Sequence, residues 1–185
     1  MHPQSEFILG GQRSGKSRCG EWRAAHWLAQ PGHRAVLLAT ALGGDDEMRT
    51  RIRRHQADRA ERVPALALDE VPRDLAAAIR RHSAPDCLVL VDCLTLWLTQ
   101  WLMPMDGDAV DEAIWLEVLA ELDAALHAVP GPVVLVSNEI GLGLSPMSRE
   151  ARRYVDELGR LHQQVAARCP RVTLMVAGLE MAVKR

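Results

Sequence analysis

Five short apolar runs punctuate the chain, at 7–9, 35–39, 87–91, 133–136 and 172–176. Each is continuous rather than alternating, the pattern of strands buried on both faces of a mainly parallel sheet. Between them lie segments with helical periodicity at 16–29, 45–60, 71–82, 94–102, 110–128 and 148–168. Over 110–128, apolar residues at 110, 114, 118, 119, 122, 125 and 126 gather on one side of a helix, and Pro130-Gly131-Pro132 ends it. Pro72 falls near the first turn of the helix predicted over 71–82, a position that suits proline. The alternation predicts an α/β, doubly wound fold with right-handed crossovers. Ligands of such folds sit at the carboxyl ends of the strands. There is no internal repeat, low-complexity stretch or linker; 103–109 reads as a surface loop, and residues 1–185 as one domain.

Composition adds exclusions. At 185 residues with 48% apolar and 25% charged positions, the chain is ordinary for one globular domain. A net charge of −2 gives no reason to expect nucleic acid or an anionic membrane as partner. No apolar run approaches the roughly 20 residues that span a bilayer. The polar stretch Met1 to Glu6 lacks the regions of a signal peptide, so a cytoplasmic location is expected. Cys19, Cys87, Cys93 and Cys169 form no C-x-x-C pair and read as buried free thiols.

The first apolar run leads into Gly10-Gly11-Gln12-Arg13-Ser14-Gly15-Lys16-Ser17, which fits the phosphate-loop pattern G-x-x-x-x-G-K-[ST]. Glycines let the backbone curl so that its N–H groups face an anion, and the next helix adds its positive end. Lys16 is placed to reach the β/γ-phosphates and Ser17 to ligate Mg²⁺. The run at 87–91 ends in Asp92, an acid that meets such a Mg²⁺ or its water, or else caps the helix that follows.

Two more segments end at this edge. After 35–39 come Thr40-Ala41-Leu42, then Asp45 or Asp46 as a natural helix cap. In the arginine-rich helix beyond, Met48, Ile52, His55 and Arg59 share a stripe, with Arg51 one turn before His55. Neighbouring guanidiniums disfavour imidazolium, which leaves a neutral nucleophile beside groups that neutralise phosphate. The alternative is a solvated helix with an incidental histidine. The loop after 133–136 carries Asn138, Glu139, Gly141 and Gly143, where polar ligand contacts are expected. Thr95, Thr99 and the remaining histidines, His162 among them, read as packing or surface residues. The five tryptophans lie in predicted helices and read as core or subunit packing.

Together these segments resemble the bifunctional adenosylcobinamide kinase / adenosylcobinamide-phosphate guanylyltransferase family of cobalamin biosynthesis. The resemblance runs nearly end to end. It rests on 10–17, on Asp45-Asp-Glu-Met-Arg-Thr-Arg-Ile52 with His55, on Val91-Asp-Cys-Leu-Thr-Leu-Trp-Leu98, on 137–146 and on Ala177-Gly-Leu179. It implies a RecA-like core and a homo-oligomer that is trimeric. It implies that His55 takes GMP from GTP, with guanine-nucleotide contacts at Thr40, Ala41, Leu42, Gln56, Ala57, Asp58, Arg59, Glu70 and Asp92. ATP or GTP would serve the kinase step, Mg²⁺ would be held by Ser17 and Asp92, and the acceptor would be a corrinoid. The stretch before Glu70 lacks the expected Trp and Thr, and His162 stands where an Asn is usual. A P-loop kinase without guanylyl transfer, or a nucleotide-dependent switch, are the rival readings.

Overall fold

The structure, a computed structural model, describes every residue except Asp45, and the side chains of Glu47, Met48 and Arg51 lie outside the description. The strands are β1 (Glu6–Gly10), β2 (Arg34–Ala39), β3 (Ala67–Glu70), β4 (Cys87–Asp92), β5 (Val133–Asn138), β6 (Arg171–Val176) and β7 (Leu179–Lys184). The helices are α1 (Lys16–Leu28), α2 (Asp46–Arg62), α3 (Leu75–His82), α4 (Leu94–Leu102), α5 (Glu112–Ala128) and α6 (Arg149–Arg168). One sheet runs in the order β3-β2-β4-β5-β1-β6-β7, parallel except where β7 turns back on β6. The expected doubly wound α/β fold is therefore present, with two strands that the apolar pattern does not reveal.

Alternation along each strand divides the core. Ile8, Leu37, Leu90, Val134 and Val136 pack with Cys19, Ala24 and Trp27 of α1 on one face. Phe7, Leu38, Val91 and Leu135 pack with α3 to α6 on the other. Fully buried Trp97 and Trp115 meet there, with ring centroids 5.6 Å apart. Trp22 lies outside the core; it is 59% exposed and stacks on His26. All four cysteines are free and buried, as expected.

Helix starts follow local chemistry. Asp111 accepts from Ile114 N at 2.9 Å and starts α5 two residues later than predicted. Ser148 accepts from Ala151 N at 3.1 Å and caps α6. The helix expected from 71 begins only at Leu75, because Val71 N is drawn to Ala39 O at 2.8 Å and extends the β3 edge instead. The cap expected at Asp45 falls outside the described residues; Asp46 is already helical.

The chain leaves β1 toward β2 through α1 on one face, and reaches β6 on the opposite side of β1 through α6 on the other. A crevice opens at the carboxyl end of β1, where these connections diverge. No helix among the described residues is long and apolar enough to cross a membrane.

Candidate active site

The turn between β1 and α1 builds the anion cradle. Gly15 holds φ 100° and Arg13 φ 57°, so successive N–H groups converge. Ser14 N donates to Gly11 O at 3.2 Å, and Cys19 N donates to Gly15 O at 2.9 Å to start the helix. Lys16 is buried and reaches back across the turn, its Nζ donating to Gly11 O at 3.0 Å. Gly10 has no room for a side chain: a Cβ there would lie 2.4 Å from Ser14 Oγ and 2.8 Å from Met175 O. The β6–β7 turn supports the cradle from below. Gly178, at φ 82°, donates its N–H to Ser14 O at 3.0 Å.

Gly10 pairs with Asn138 across β1 and β5, and Asp92 ends β4 on the far side of β5. One strand therefore separates cradle and acid, a gap of roughly 10 Å at ordinary strand spacing. The end of β4 is fixed from β2. Thr40 Oγ1 accepts from Cys93 N at 2.9 Å and donates to Cys93 O at 2.7 Å. That hydroxyl is fully buried, so Thr40 serves the architecture of the edge and does not line the cavity. Nor does Asp92 cap α4: Cys93 occupies the cap position, and no side chain caps it.

A cavity of about 370 Å³ opens above this edge and gathers the predicted residues from four elements. Lys16, Ser17 and Asp92 line its phosphate side; Ala41, Leu42 and Glu70 line the ends of β2 and β3. Helix α2 closes it with Ile52, His55, Gln56 and Arg59, the i, i+3, i+4 and i+7 positions of one face. Ala57 and Asp58 fall off that face and do not line the cavity. Asp58 lies 4.0 Å from Arg62 instead, while Arg62 pairs with Glu21 of α1 at 2.8 Å and ties the two helices together. Gly10, Gly11, Gln12, Arg13, Ser14 and Gly15 form the turn rather than the cavity wall.

Several lining residues were not anticipated. Glu21, Arg49, Arg53, Leu68 and Leu96 join the wall, and Asn138 was expected only as a loop contact. Arg49 donates to Gly43 O and Gly44 O and pairs with Asp46, which holds the β2–α2 loop against the helix. Ser14 Oγ and Asn138 Oδ1 are buried without hydrogen-bond partners. Orphaned polar oxygens beside a phosphate cradle are what a site awaiting a polar ligand leaves behind. Cys93 also lines the cavity, but burial pushes its thiol up to about 11. It stays protonated at neutral pH and is a poor nucleophile.

Behind β5 lies a polar chain. His162 Nε2 meets Ser137 Oγ at 2.8 Å, and Ser137 Oγ meets Thr95 Oγ1 at 2.9 Å. Thr95 Oγ1 also accepts from Asn138 N at 2.7 Å. Burial lowers the His162 pKa against the opposing pull of Glu139, whose Oε2 lies 3.6 Å from Nδ1. A neutral ring beside a carboxylate carries its proton on Nδ1. His162 and Thr95 thus act as packing residues, as expected, and both hold the root of the 139–147 loop.

The geometry matches known proteins. Solved structures share the fold alone: the flagellar accessory protein FlaH of Methanocaldococcus jannaschii (TM-score 0.54, 13% identity, 99% of this chain and 79% of that one), and a Pyrococcus horikoshii protein (TM-score 0.56, 7% identity, 98% and 86%). The bifunctional adenosylcobalamin biosynthesis protein CobP of Pseudomonas aeruginosa is 47% identical over 182 residues, covering 97% of this chain and 96% of its own. CobU of Escherichia coli is 36% identical over 187 residues, covering 96% and 98%. The family model described as cobinamide kinase / cobinamide phosphate guanyltransferase matches residues 6–183. On sequence, the chain belongs to the cobinamide kinase / cobinamide phosphate guanyltransferase family.

Proposed function

We propose that one nucleotide apparatus runs both reactions named for the family. The chain phosphorylates adenosylcobinamide with ATP or GTP, then transfers GMP from GTP through His55 to give adenosylcobinamide-GDP. One observation carries this reading: Lys16, Ser17 and Asp92 share a single cavity with His55, Gln56, Arg59 and Glu70. A triphosphate seated on the cradle at 10–17 extends its nucleoside end toward α2.

In the first reaction the acceptor hydroxyl attacks the γ-phosphorus, and the bond to the β-phosphate oxygen breaks. Lys16 and the cradle amides stabilise the charge on the transferring group. In the second, an imidazole nitrogen of His55 attacks the α-phosphorus and pyrophosphate leaves. The phosphate oxygen of the acceptor then attacks that phosphorus, the N–P bond breaks, and His55 is freed. Arg49, Arg53 and Arg59 line the cavity with His55 and supply positive charge around the attacked phosphate.

Ser17 and Asp92 fit Mg²⁺, which relies on one or two protein oxygens, water and substrate phosphates rather than an all-protein cage. No cluster of three or more metal-binding side chains occurs among the described residues. When bound, the ion would neutralise charge on the β- and γ-phosphates. Glu70 and Ala41 to Leu42 are assigned to the guanine end. We also assign one domain over 1–185, a cytoplasmic location and, from the resemblance, a trimer, which a sedimentation mass of three chains checks.

The test is covalent. Protein incubated with α-labelled GTP should retain label that survives alkali and is released by acid, and His55→Ala should retain none. A kinase without guanylyl transfer would move γ-label to acceptor and leave no label on the protein. Label that persists in His55→Ala would remove His55 from the role.

A further inference from the structure

The 370 Å³ cavity accounts for a nucleotide but not for the large acceptor whose hydroxyl must reach the γ-phosphate. The surface beside the cradle carries a feature that the nucleotide does not use. The loop from Ile140 to Met147 exposes four large apolar side chains: Ile140 at 41%, Leu142 at 86%, Leu144 at 99% and Met147 at 97%. It is anchored at both ends. Glu139 N donates to Gly10 O at 3.0 Å, which roots the loop on the phosphate cradle. Glu139 Oε1 accepts from Gly141 N at 2.6 Å, and Arg152 donates to Pro146 O and Met147 O at 3.0 and 2.6 Å.

Four large exposed apolar side chains thus stand on one loop that leaves β5 beside the cradle, at the ligand-bearing edge of the sheet. Exposed apolar surface beside a reaction site marks a place for a ligand. We propose that the 140–147 loop is the acceptor seat. It holds the methyl-clad face of the corrinoid macrocycle, so that the hydroxyl arm reaches the γ-phosphate over Gly10 and Asn138. The reaction itself selects this occupant over a second copy of the chain: an acceptor must abut the cradle, and Glu139 N–H ties the root of this loop to Gly10 O. The inference rests on the phosphoryl-transfer reading above.

Equilibrium dialysis of cobinamide against protein loaded with a non-hydrolysable ATP analogue tests the seat without requiring turnover. The variant Leu142→Ser/Leu144→Ser/Met147→Ser should bind cobinamide at least tenfold more weakly. Leu116→Ser, an exposed apolar position on α5 at 56%, should bind as the unaltered protein does. GMP labelling by GTP alone, which needs no acceptor, reads the nucleotide site separately. Loss of labelling in the unaltered protein with cobinamide binding intact would remove the His55 reading and keep the seat. Unchanged cobinamide affinity in the triple variant would overturn the seat. So would a change in its sedimentation mass, because the loop would then be an interface between copies.

Discussion

Glu6, the first residue of β1, sits at 1% exposure, bound to Arg23 at 2.7 Å and to Thr173 at 2.6 Å, with Arg171 at 3.5 Å. Burial raises its pKa, but the Arg23 and Thr173 hydrogen bonds and the two guanidinium charges outweigh it and hold the carboxyl below its ordinary value. A carboxylate depressed on folding contributes stability that is complete above its unfolded pKa. That stability is lost as pH falls through the folded one. Urea unfolding followed against pH should therefore show an acid limb starting near the ordinary Glu pKa of about 4.3. Glu6→Gln should flatten that limb and cost about 1–3 kcal/mol at neutral pH, since it removes a charged hydrogen-bond partner from partly buried Arg23 and leaves it Glu180 as carboxylate partner. An acid limb of unchanged depth in the variant would assign it to other carboxylates. The sequence offers no sign of this cluster, because the partners of Glu6 lie 17 to 167 positions from it. His55 illustrates the opposite case, since its stripe with Ile52 and Arg59 is local and survives in the structure.

Among the elements, those buried on both faces were legible and those at the sheet's borders were not. β1, β2, β4, β5 and β6 are continuous apolar runs because helices cover them from both sides. β3 reads Ala-Leu-Asp-Glu and leaves Leu68 at 41% exposure, so no apolar run marks it. β7 is exposed along its whole length. Its signal lay instead in the turn Ala177-Gly178, with φ of 52° and 82°, the two-residue hairpin connection that glycine favours. The tie between β2 and β4 was also hidden, because Thr40 looked like a ligand contact. Thr40→Val keeps the shape but strands Cys93 N–H in a buried setting, while Cys93 C=O still accepts from Trp97 N at 3.1 Å. An unmet buried backbone group costs about 1–3 kcal/mol. The variant should lose about that much in denaturant unfolding, where a retained midpoint would show that the clamp is dispensable.

At the scale of the whole molecule, the proposed mechanism has one cradle serve two displacements, with Lys16 stabilising charge whichever phosphorus is attacked. Lys16→Ala should therefore depress both phosphoryl transfer and His55 labelling, each by about 10²–10³-fold, as expected for loss of one preorganised charge-stabilising donor. His55→Ala should abolish guanylyl transfer and leave phosphoryl transfer near its original rate. Steady-state assays of both half-reactions on both variants check the asymmetry. Full labelling in Lys16→Ala would mean that the cradle does not hold GTP for attack by His55. The phosphate loop alone was readable as a triphosphate site. What it could not reveal is that α2 folds back over it, because that closure depends on Arg62–Glu21 and on Arg49 against the β2–α2 loop.

The most direct measurement of the central claim uses the adduct itself. Protein labelled with α-labelled GTP is freed of nucleotide and mixed with adenosylcobinamide phosphate. The account predicts that the label leaves the protein in a single turnover and appears, mole for mole, in adenosylcobinamide-GDP. Label that stays on the protein, or that leaves as free GMP while product forms only when GTP is restored, would contradict transfer through His55.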